Sequence, residues 1–252
     1  MNKMKPLIGI SAEMSQNQDH FWLPFVYVET VLKYGGLPLM IPVMGDENLD
    51  ELSLRLDGLF ITGGEDIDPS YYGENPHLKL GKIAPEIDQM ESELVKRMLE
   101  LDKPYIGVCR GLHMLNIVQG GSMYQDMHAQ REEESYLHLQ KGPRTYRSHD
   151  VELDLDSKIG KILGEEKFRV NSFHHQSCNK IGRDLKVVAR ATDGNIEAME
   201  SKTHEFAFGF QWHPEEFAMA GDETSGKIFD AFIKQAVKRR KEIDDTKKRD
   251  RQ

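Results

Sequence analysis

Tyr105-Ile106-Gly107-Val108-Cys109-Arg110-Gly111-Leu112-His113-Met114-Leu115 is the stretch on which the reading of this chain turns. Tyr105 to Val108 is a short apolar run of the kind a sheet buries on both faces, and Leu112 to Val118 has a helical pattern. Between them stands Gly107-x-Cys109-x-Gly111, a nucleophile-elbow pattern with Cys in place of Ser. The central residue of such an elbow sits in a tight, strained turn, where side chains two positions to either side would clash. The turn lifts its side chain above the carboxyl edge of the sheet, where parallel α/β proteins place their sites. A helix N-terminus behind a thiol favours the thiolate, the reactive species. The plain alternative is a small buried cysteine whose neighbouring glycines serve close helix–strand packing.

The surroundings of this elbow repeat its rhythm. Upstream, Leu7 to Ser11, Leu37 to Ile41 and Leu59 to Thr62 read as buried strands. Helices are predicted from about Pro24 to Tyr34, with Gly35-Gly36 as the stop, and from an N-cap at Asp46 to Leu56. Ile87, Met90, Leu94, Met98 and Leu101 recur at three- and four-residue spacing, an amphipathic helix between Ala84 and Leu101. Strand and helix alternating in this way mean a parallel sheet covered on both faces. Downstream the pattern changes. His149 to Leu153, Phe168 to Val170, Leu185 to Ala191, Ile196 to Met199 and Phe206 to Trp212 are strand candidates with little helix between them. An antiparallel extension of the sheet follows, closed by a helix from about Glu223 to Lys241. The polar segment His128 to Ser148 reads as a loop or insertion. Residues 1–240 are expected to form a single catalytic domain and 241–252 a charged tail. From Lys238 to Gln252 eight basic residues face four acidic ones, the composition of a solvated helix end.

Composition removes several function classes. The chain has 252 residues and a formal charge of −9, from 33 Lys and Arg against 42 Asp and Glu. That balance argues against nucleic acid as the main partner. No apolar run approaches the roughly 18–20 residues of a spanning helix, so no membrane partner is expected. Leu7 to Ile10 is too short for a signal-peptide core, and with only two cysteines, Cys109 and Cys178, a cytoplasmic location is the expectation.

Two further segments bear on Cys109. Phe210-Gln211-Trp212-His213-Pro214-Glu215 places a histidine and a glutamate two apart after an apolar strand. In an extended chain such residues share a side, so Glu215 can orient the His213 ring and stabilise its charged form. A Cys–His pair oriented by a carboxylate is what nucleophilic acyl transfer requires. Thr62-Gly63-Gly64-Glu65-Asp66 directly follows a strand, and its glycines let backbone approach a substrate carbonyl. The Gly64 and Arg110 N–H groups would then form a two-donor oxyanion hole.

Gly-Val-Cys-Arg-Gly around Cys109, Trp-His-Pro-Glu around His213 and Thr-Gly-Gly-Glu-Asp around Gly64 together resemble class I glutamine amidotransferase-type domains. More narrowly, Gly63 to Pro69 with Tyr72-Gly73-Glu74, and Asn171-Ser172-Phe173-His174-His175-Gln176, resemble the peptidase C26 branch typified by gamma-glutamyl-gamma-aminobutyrate hydrolase. The resemblance runs from about Pro6 to Lys234. It implies a flavodoxin-like three-layer α/β/α sandwich, mostly parallel in its central sheet, and a thioester mechanism. It assigns Cys109 as nucleophile, His213 as base, Glu215 as its partner, and Gly64 and Arg110 as oxyanion donors. His174, His175 and Gln176 match the family position that lines the glutamyl pocket. His113 stands where the family has glutamine four residues after the nucleophile, a departure that bears on the substrate held rather than on the reaction.

The resulting expectation is a γ-glutamyl amide hydrolase releasing glutamate and an amine, acting on a small molecule without metal or organic cofactor. A zinc site from His174, His175, His213 and Cys109 is not expected, because adjacent histidines in an extended segment point opposite ways. Cys178 has no elbow and no adjacent base and is read as inert. The alternatives are a glutaminase subunit supplying ammonia to a separate synthase, and a non-catalytic binding protein on the same scaffold. The amine half of the substrate is not legible and rests with the loops 65–85 and 128–148. Oligomeric state is open, with a homodimer among the options.

Overall fold

The computed structural model describes residues 4–249 apart from 16, 18, 133 and 134; the end of the expected charged tail, 250–252, lies outside the described residues. Nine strands form one sheet. In chain order they are β1 (Leu7–Ser11), β2 (Leu37–Ile41), β3 (Gly58–Ile61), β4 (Tyr105–Val108), β5 (His149–Leu153), β6 (Lys167–Val170), β7 (Leu185–Ala191), β8 (Ile196–Ser201) and β9 (Ala207–Phe210). Their spatial order is β2-β1-β3-β4-β9-β8-β7-β5-β6. The first five run parallel, with Phe60 beside Ile106 and Phe210 beside Val108. The last four are antiparallel. The fold is therefore the flavodoxin-like sandwich, a mostly parallel sheet with an antiparallel extension.

Alternation along the strands builds two cores. Ile8, Ile10, Phe60, Ile106, Val108, Phe208 and Phe210 point to one face, under α1 (Phe25–Lys33) and under a long terminal helix carrying Phe229 and Phe232. Leu59, Ile61 and Tyr105 point to the other, under α2 (Asp46–Arg55), α3 (Pro85–Glu100) and α4 (Arg110–Val118). Side chains alternate between faces of a strand, so an uninterrupted apolar run such as Leu59-Phe60-Ile61 feeds both cores.

Several boundaries differ from the sequence reading. Gly45, not Asp46, is the N-cap of α2; Asp46 and Glu47 occupy its first turn, where their carboxylates meet the positive end of the helix dipole. A helix α5 (Lys158–Leu163), capped by Ser157 and ended by Gly164 in the left-handed region, separates β5 from β6 where little helix was expected. Pro214 opens α6 (Pro214–Met219) instead of extending the preceding strand, since its fixed φ suits a first helical turn. The terminal helix α7 spans Glu223–Arg249 and runs on past Lys241 into the expected tail. The 128–148 segment is not a simple surface loop: His138 is fully buried and Gln140 nearly so.

Helix α4 lies unusually close to the sheet, and glycines make that approach sterically feasible. A Cβ on Gly111 would stand 2.5 Å from the Ile61 carbonyl oxygen, and one on Gly209 would overlap the Leu112 side chain. A Cβ on Gly107 would overlap the Gly111 carbonyl. The buried Tyr105 hydroxyl donates to that same carbonyl at 2.7 Å, tying the strand to the first turn of the helix. Gly111→Ala is expected to lower stability by about 1–3 kcal/mol, the usual penalty for overpacking, because the clash is with backbone that cannot rotate away. Urea denaturation checks this; an unchanged midpoint would show that α4 can shift freely.

Candidate active site

The carboxyl ends of β1, β3, β4 and β9 converge on Cys109. Its backbone has φ 49° and ψ −104°, a region that residues with a Cβ rarely enter. The conformation is held from three directions. The Cys109 N–H donates to Phe210 O at 2.7 Å, its carbonyl accepts the Leu112 N–H at 3.0 Å, and Arg110 begins α4. The Cys109 side chain is nearly buried, and its sulfur is one of the groups that raise the pKa of the His213 ring.

His213 follows β9 and is the N-cap position of α6. Glu215, in the first turn of that helix, reaches back so that its Oε1 lies 2.7 Å from His213 Nδ1. The pairing expected from an extended His-Pro-Glu is thus achieved by a helix start. Asn171 fixes the histidine's backbone: its Oδ1 accepts the His213 N–H at 2.8 Å and its Nδ2 donates to the His213 carbonyl at 3.3 Å. Burial pulls the His213 pKa down, but the Glu215 carboxylate and the Cys109 sulfur outweigh it and hold the value up at about 10. The ring is consequently an imidazolium near neutral pH.

Beside this pair runs the glycine turn. Gly63 donates its N–H to the Tyr27 hydroxyl at 3.2 Å, and a Cβ there would stand 3.0 Å from His213 Cε1 and 3.7 Å from Cys109 Cβ. Gly64 lies against Arg110, where a Cβ would meet Arg110 Cδ at 3.1 Å. The Arg110 guanidinium turns away into the protein and is buried between the Asp88 and Glu91 carboxylates of α3. Asp88 also accepts the Asp68 N–H at 2.9 Å, which links the Gly63–Pro69 turn to the same cluster.

The four remaining sequence candidates separate. His113, one turn beyond Cys109, has its Nε2 2.8 Å from Gln211 Oε1, and burial pushes its pKa down to about 4. His175 lies between Asp66 at 3.0 Å and Asp126 at 3.3 Å, and the hydrogen bond to Asp66 leads the interactions that raise its pKa. Gln176 is buried, its amide 3.5 Å from the Gln125 carbonyl. His174 turns elsewhere: its Nδ1 lies 2.8 Å from the Gln176 carbonyl and its ring packs 4.8 Å from that of His138. The structure therefore does not gather His174, His175, His213 and Cys109 around one point. Burial pushes the Cys178 thiol up, far from the reactive range. Sequence reasoning missed Tyr27, Asn171, Asp88, Glu91, Asp126 and Gln211 as partners of the site. Their links span 19 to 98 positions, and no local pattern marks them.

A parallel sheet with a cysteine elbow after one inner strand and a His-x-Glu pair after the next defines the class I glutamine amidotransferase-like proteins. Within that class, the chain belongs to the peptidase C26 family, whose model matches residues 6–215. It is 35% identical over 207 residues to the glutamine amidotransferase-like protein YvdE of Lactococcus lactis, covering 82% of this chain and 85% of that one. It is 30% identical over 246 residues to the gamma-glutamyl-gamma-aminobutyrate hydrolase PuuD of Escherichia coli K12, covering 90% and 92%. Among solved structures, a GMP synthase component from Thermoplasma acidophilum superposes with a TM-score of 0.62 at 17% identity, over 95% of this chain and 98% of that one, a likeness of fold. Among the described residues no helix is long and apolar enough to cross a membrane.

The raised His213 pKa has a measurable consequence. The imidazolium persists below about 10, so the ring stays charged across the neutral range and loses its proton only as pH rises through that value. Removing the Glu215 charge moves the pKa back toward the ordinary histidine value of about 6.5. Alkylation of Cys109 by iodoacetamide, read by mass spectrometry with Cys178 as the internal control, is expected to be faster than that of Cys178 between about pH 7 and 9. In Glu215→Gln the rate should fall over the same interval. Identical profiles would remove Glu215 from control of the pair.

Proposed function

We propose that the protein is a cysteine hydrolase that cleaves a γ-glutamyl amide bond, releasing glutamate and an amine. The observation that carries this reading is the buried His213 ring, bonded to Glu215 and set beside the elbow, where a Cβ on Gly63 would touch both His213 Cε1 and Cys109 Cβ. The peptidase C26 membership and the similarity to a gamma-glutamyl-gamma-aminobutyrate hydrolase support the substrate class. The activity is placed in residues 1–240 as one catalytic domain acting on a small molecule, and the scheme calls for no cofactor.

In this mechanism the Cys109 thiolate attacks the γ-carbonyl carbon, and the carbonyl electron pair moves onto oxygen. The Gly64 and Arg110 N–H groups receive that oxyanion; the Gly63 N–H is committed to Tyr27, which leaves Gly64 as the donor from its turn. The His213 imidazolium gives its proton to the leaving nitrogen as the C–N bond breaks, leaving a γ-glutamyl thioester and a free amine. Neutral His213 then takes a proton from water as the oxygen attacks the thioester, and collapse of the second tetrahedral adduct releases glutamate and the thiolate. Glu215 keeps the ring oriented and stabilises its charged form throughout. His175, whose pKa the Asp66 contact raises, and the Asp66 and Asp126 side chains offer the polar groups that an α-amino acid head group requires. His113 and Gln176 support this pocket through Gln211 and Gln125. His174, assigned to the pocket by resemblance, acts from behind it through the chain it shares with His175.

Cys109→Ala should lower glutamate release from a γ-glutamyl amide by about 10⁴-fold or more, by analogy with loss of a nucleophile in other such constellations. Near-wild-type turnover in that variant would sink the mechanism. A panel of γ-glutamyl-aminobutyrate, γ-glutamyl polyamines and glutamine, with glutamate as the readout, addresses the leaving group. Preference for glutamine over every γ-glutamyl amine would instead favour a glutaminase that hands ammonia to a separate synthase.

A further inference from the structure

Behind the active-site wall lies a second, wholly buried cluster that the proposed reaction does not use. We propose that His138, His174 and Glu197, with His149 beside them, bind one divalent transition metal, with zinc the ion that suits the donor set best, and that the ion clamps the antiparallel half of the sheet to the segment carrying Asn171 and His175.

The four side chains come from four separate stretches: the 128–148 segment, the start of β5, the 171–176 segment and β8. All four are buried. One ligating atom from each of His138, His174 and Glu197 lies within 4.8 Å of the others. Glu197 Oε1 stands 3.7 Å from both His138 Nδ1 and His149 Nε2. That separation is too long for a hydrogen bond. It is near the ~3.4 Å between two atoms that share a tetrahedral ion at about 2.0–2.1 Å.

Each ring also has its second nitrogen engaged in the way metal-bound histidines do. His138 Nε2 meets Asp193 Oδ2 at 2.8 Å, His174 Nδ1 meets the Gln176 carbonyl at 2.8 Å, and His149 Nδ1 meets the Asp150 carbonyl at 3.3 Å. These partners accept, so each places the ring's N–H on the outer nitrogen and a lone pair on the inner one. His149 Nε2, His174 Nε2 and Glu197 Oε2 are buried with no hydrogen-bond partner among the described residues. Lone pairs thus converge on lone pairs, an arrangement that only a cation or added proton donors can satisfy. Asn195 Nδ2 donates to Glu197 Oε1 at 3.0 Å, steadying the carboxylate. The Ser172 hydroxyl, 3.0 Å from His138 Nδ1, is the polar group with which an ion would compete. Two imidazoles and a carboxylate form a borderline donor set that suits zinc, and His149 stands next to them, 3.7 Å from Glu197.

The site is independent of the γ-glutamyl reading, and its test does not use activity. The full-length chain, wild type and Cys109→Ala, is purified without chelators and its metal content measured by plasma mass spectrometry. It is then stripped with dipicolinate and titrated with Zn²⁺ by calorimetry and thermal melting. Stoichiometric zinc in both proteins, a rise in melting temperature on adding zinc back, and visible d–d bands on cobalt loading are expected. Glu197→Gln should abolish binding, and Asp193→Asn should weaken it about 10–100-fold, the usual effect of losing an orienting carboxylate. Because these variants can fail to fold, the wild-type chain is read first, and a variant counts only where its circular dichroism matches the wild type. Absence of metal together with no zinc-dependent shift or cobalt band overturns the proposal. So does zinc that is lost with Cys109→Ala, which would belong to the active-site thiol, or zinc retained at full affinity in Glu197→Gln.

Discussion

The backbone of Cys109 is the constraint on which the rest of the site depends. A residue with a side chain at φ 49° and ψ −104° costs roughly 1–3 kcal/mol and relaxes unless its surroundings over-determine it. Here they do. Phe210 takes its N–H from one side, the first turn of α4 takes its carbonyl from the other, and Leu112 and Leu115 drive that helix into the core. Gly107, Gly111 and Gly209 are the clearances that let the helix come close enough to hold the turn. The same turn makes Arg110 the first helical residue and presents its backbone N–H beside the sulfur. Strain, helix packing and a candidate oxyanion donor are therefore one geometric fact.

The charges around the elbow serve position more than stability. Burying Arg110 with Asp88 and Glu91 gains little net free energy, because desolvation offsets most of the attraction. Burial raises the pKa of both carboxylates against the pull of Arg110. What the cluster fixes is geometry: α3 is pinned to α4 at the residue after the cysteine, and through Asp88 to the turn that follows Gly64. On the outer side of Gly64, Glu13 is half-buried, and burial together with the Glu65 charge pushes its pKa up to about 7. The glycine turn thus lies between a fully compensated buried cation and a carboxyl that changes charge near neutrality.

The parallel half of the fold was legible because its signals are local. Leu59-Phe60-Ile61 and Tyr105 to Val108 are apolar without break since both faces are covered, and α3 carries its 3.6-residue period openly. The elbow was legible for the same reason: Gly107, Cys109 and Gly111 act within one turn. Where local rules competed, the sequence misled. Pro214 suits either an extended chain or a first helical turn, and the packing of Phe217 and Ala218 into the core settled it as helix. Asp46 is a good N-cap residue, yet Gly45 took the extended φ and ψ of that position. The partners Asn171, Asp126 and Gln211 left no trace, because each meets its target only after strands far apart in sequence have been ordered.

The adjacent histidines show what the antiparallel half contributes. An extended segment sends neighbouring side chains to opposite sides, so His175 turns toward Asp66 and Asp126 while His174 turns into the cluster of His138, His149 and Glu197. Three residues earlier in the same segment, Asn171 grips the His213 backbone on both its N–H and its carbonyl. Strands β5 and β8, which supply His149 and Glu197, therefore form the far side of a wall whose near side sets the place of His213. An antiparallel half of the sheet that the elbow itself does not need becomes the support for the elbow's partner. The two halves of the fold meet mechanically at residues 171–176, and it follows that loosening the buried cluster should be felt at His213 before it is felt at Cys109, whose own turn is held entirely by the parallel strands and α4.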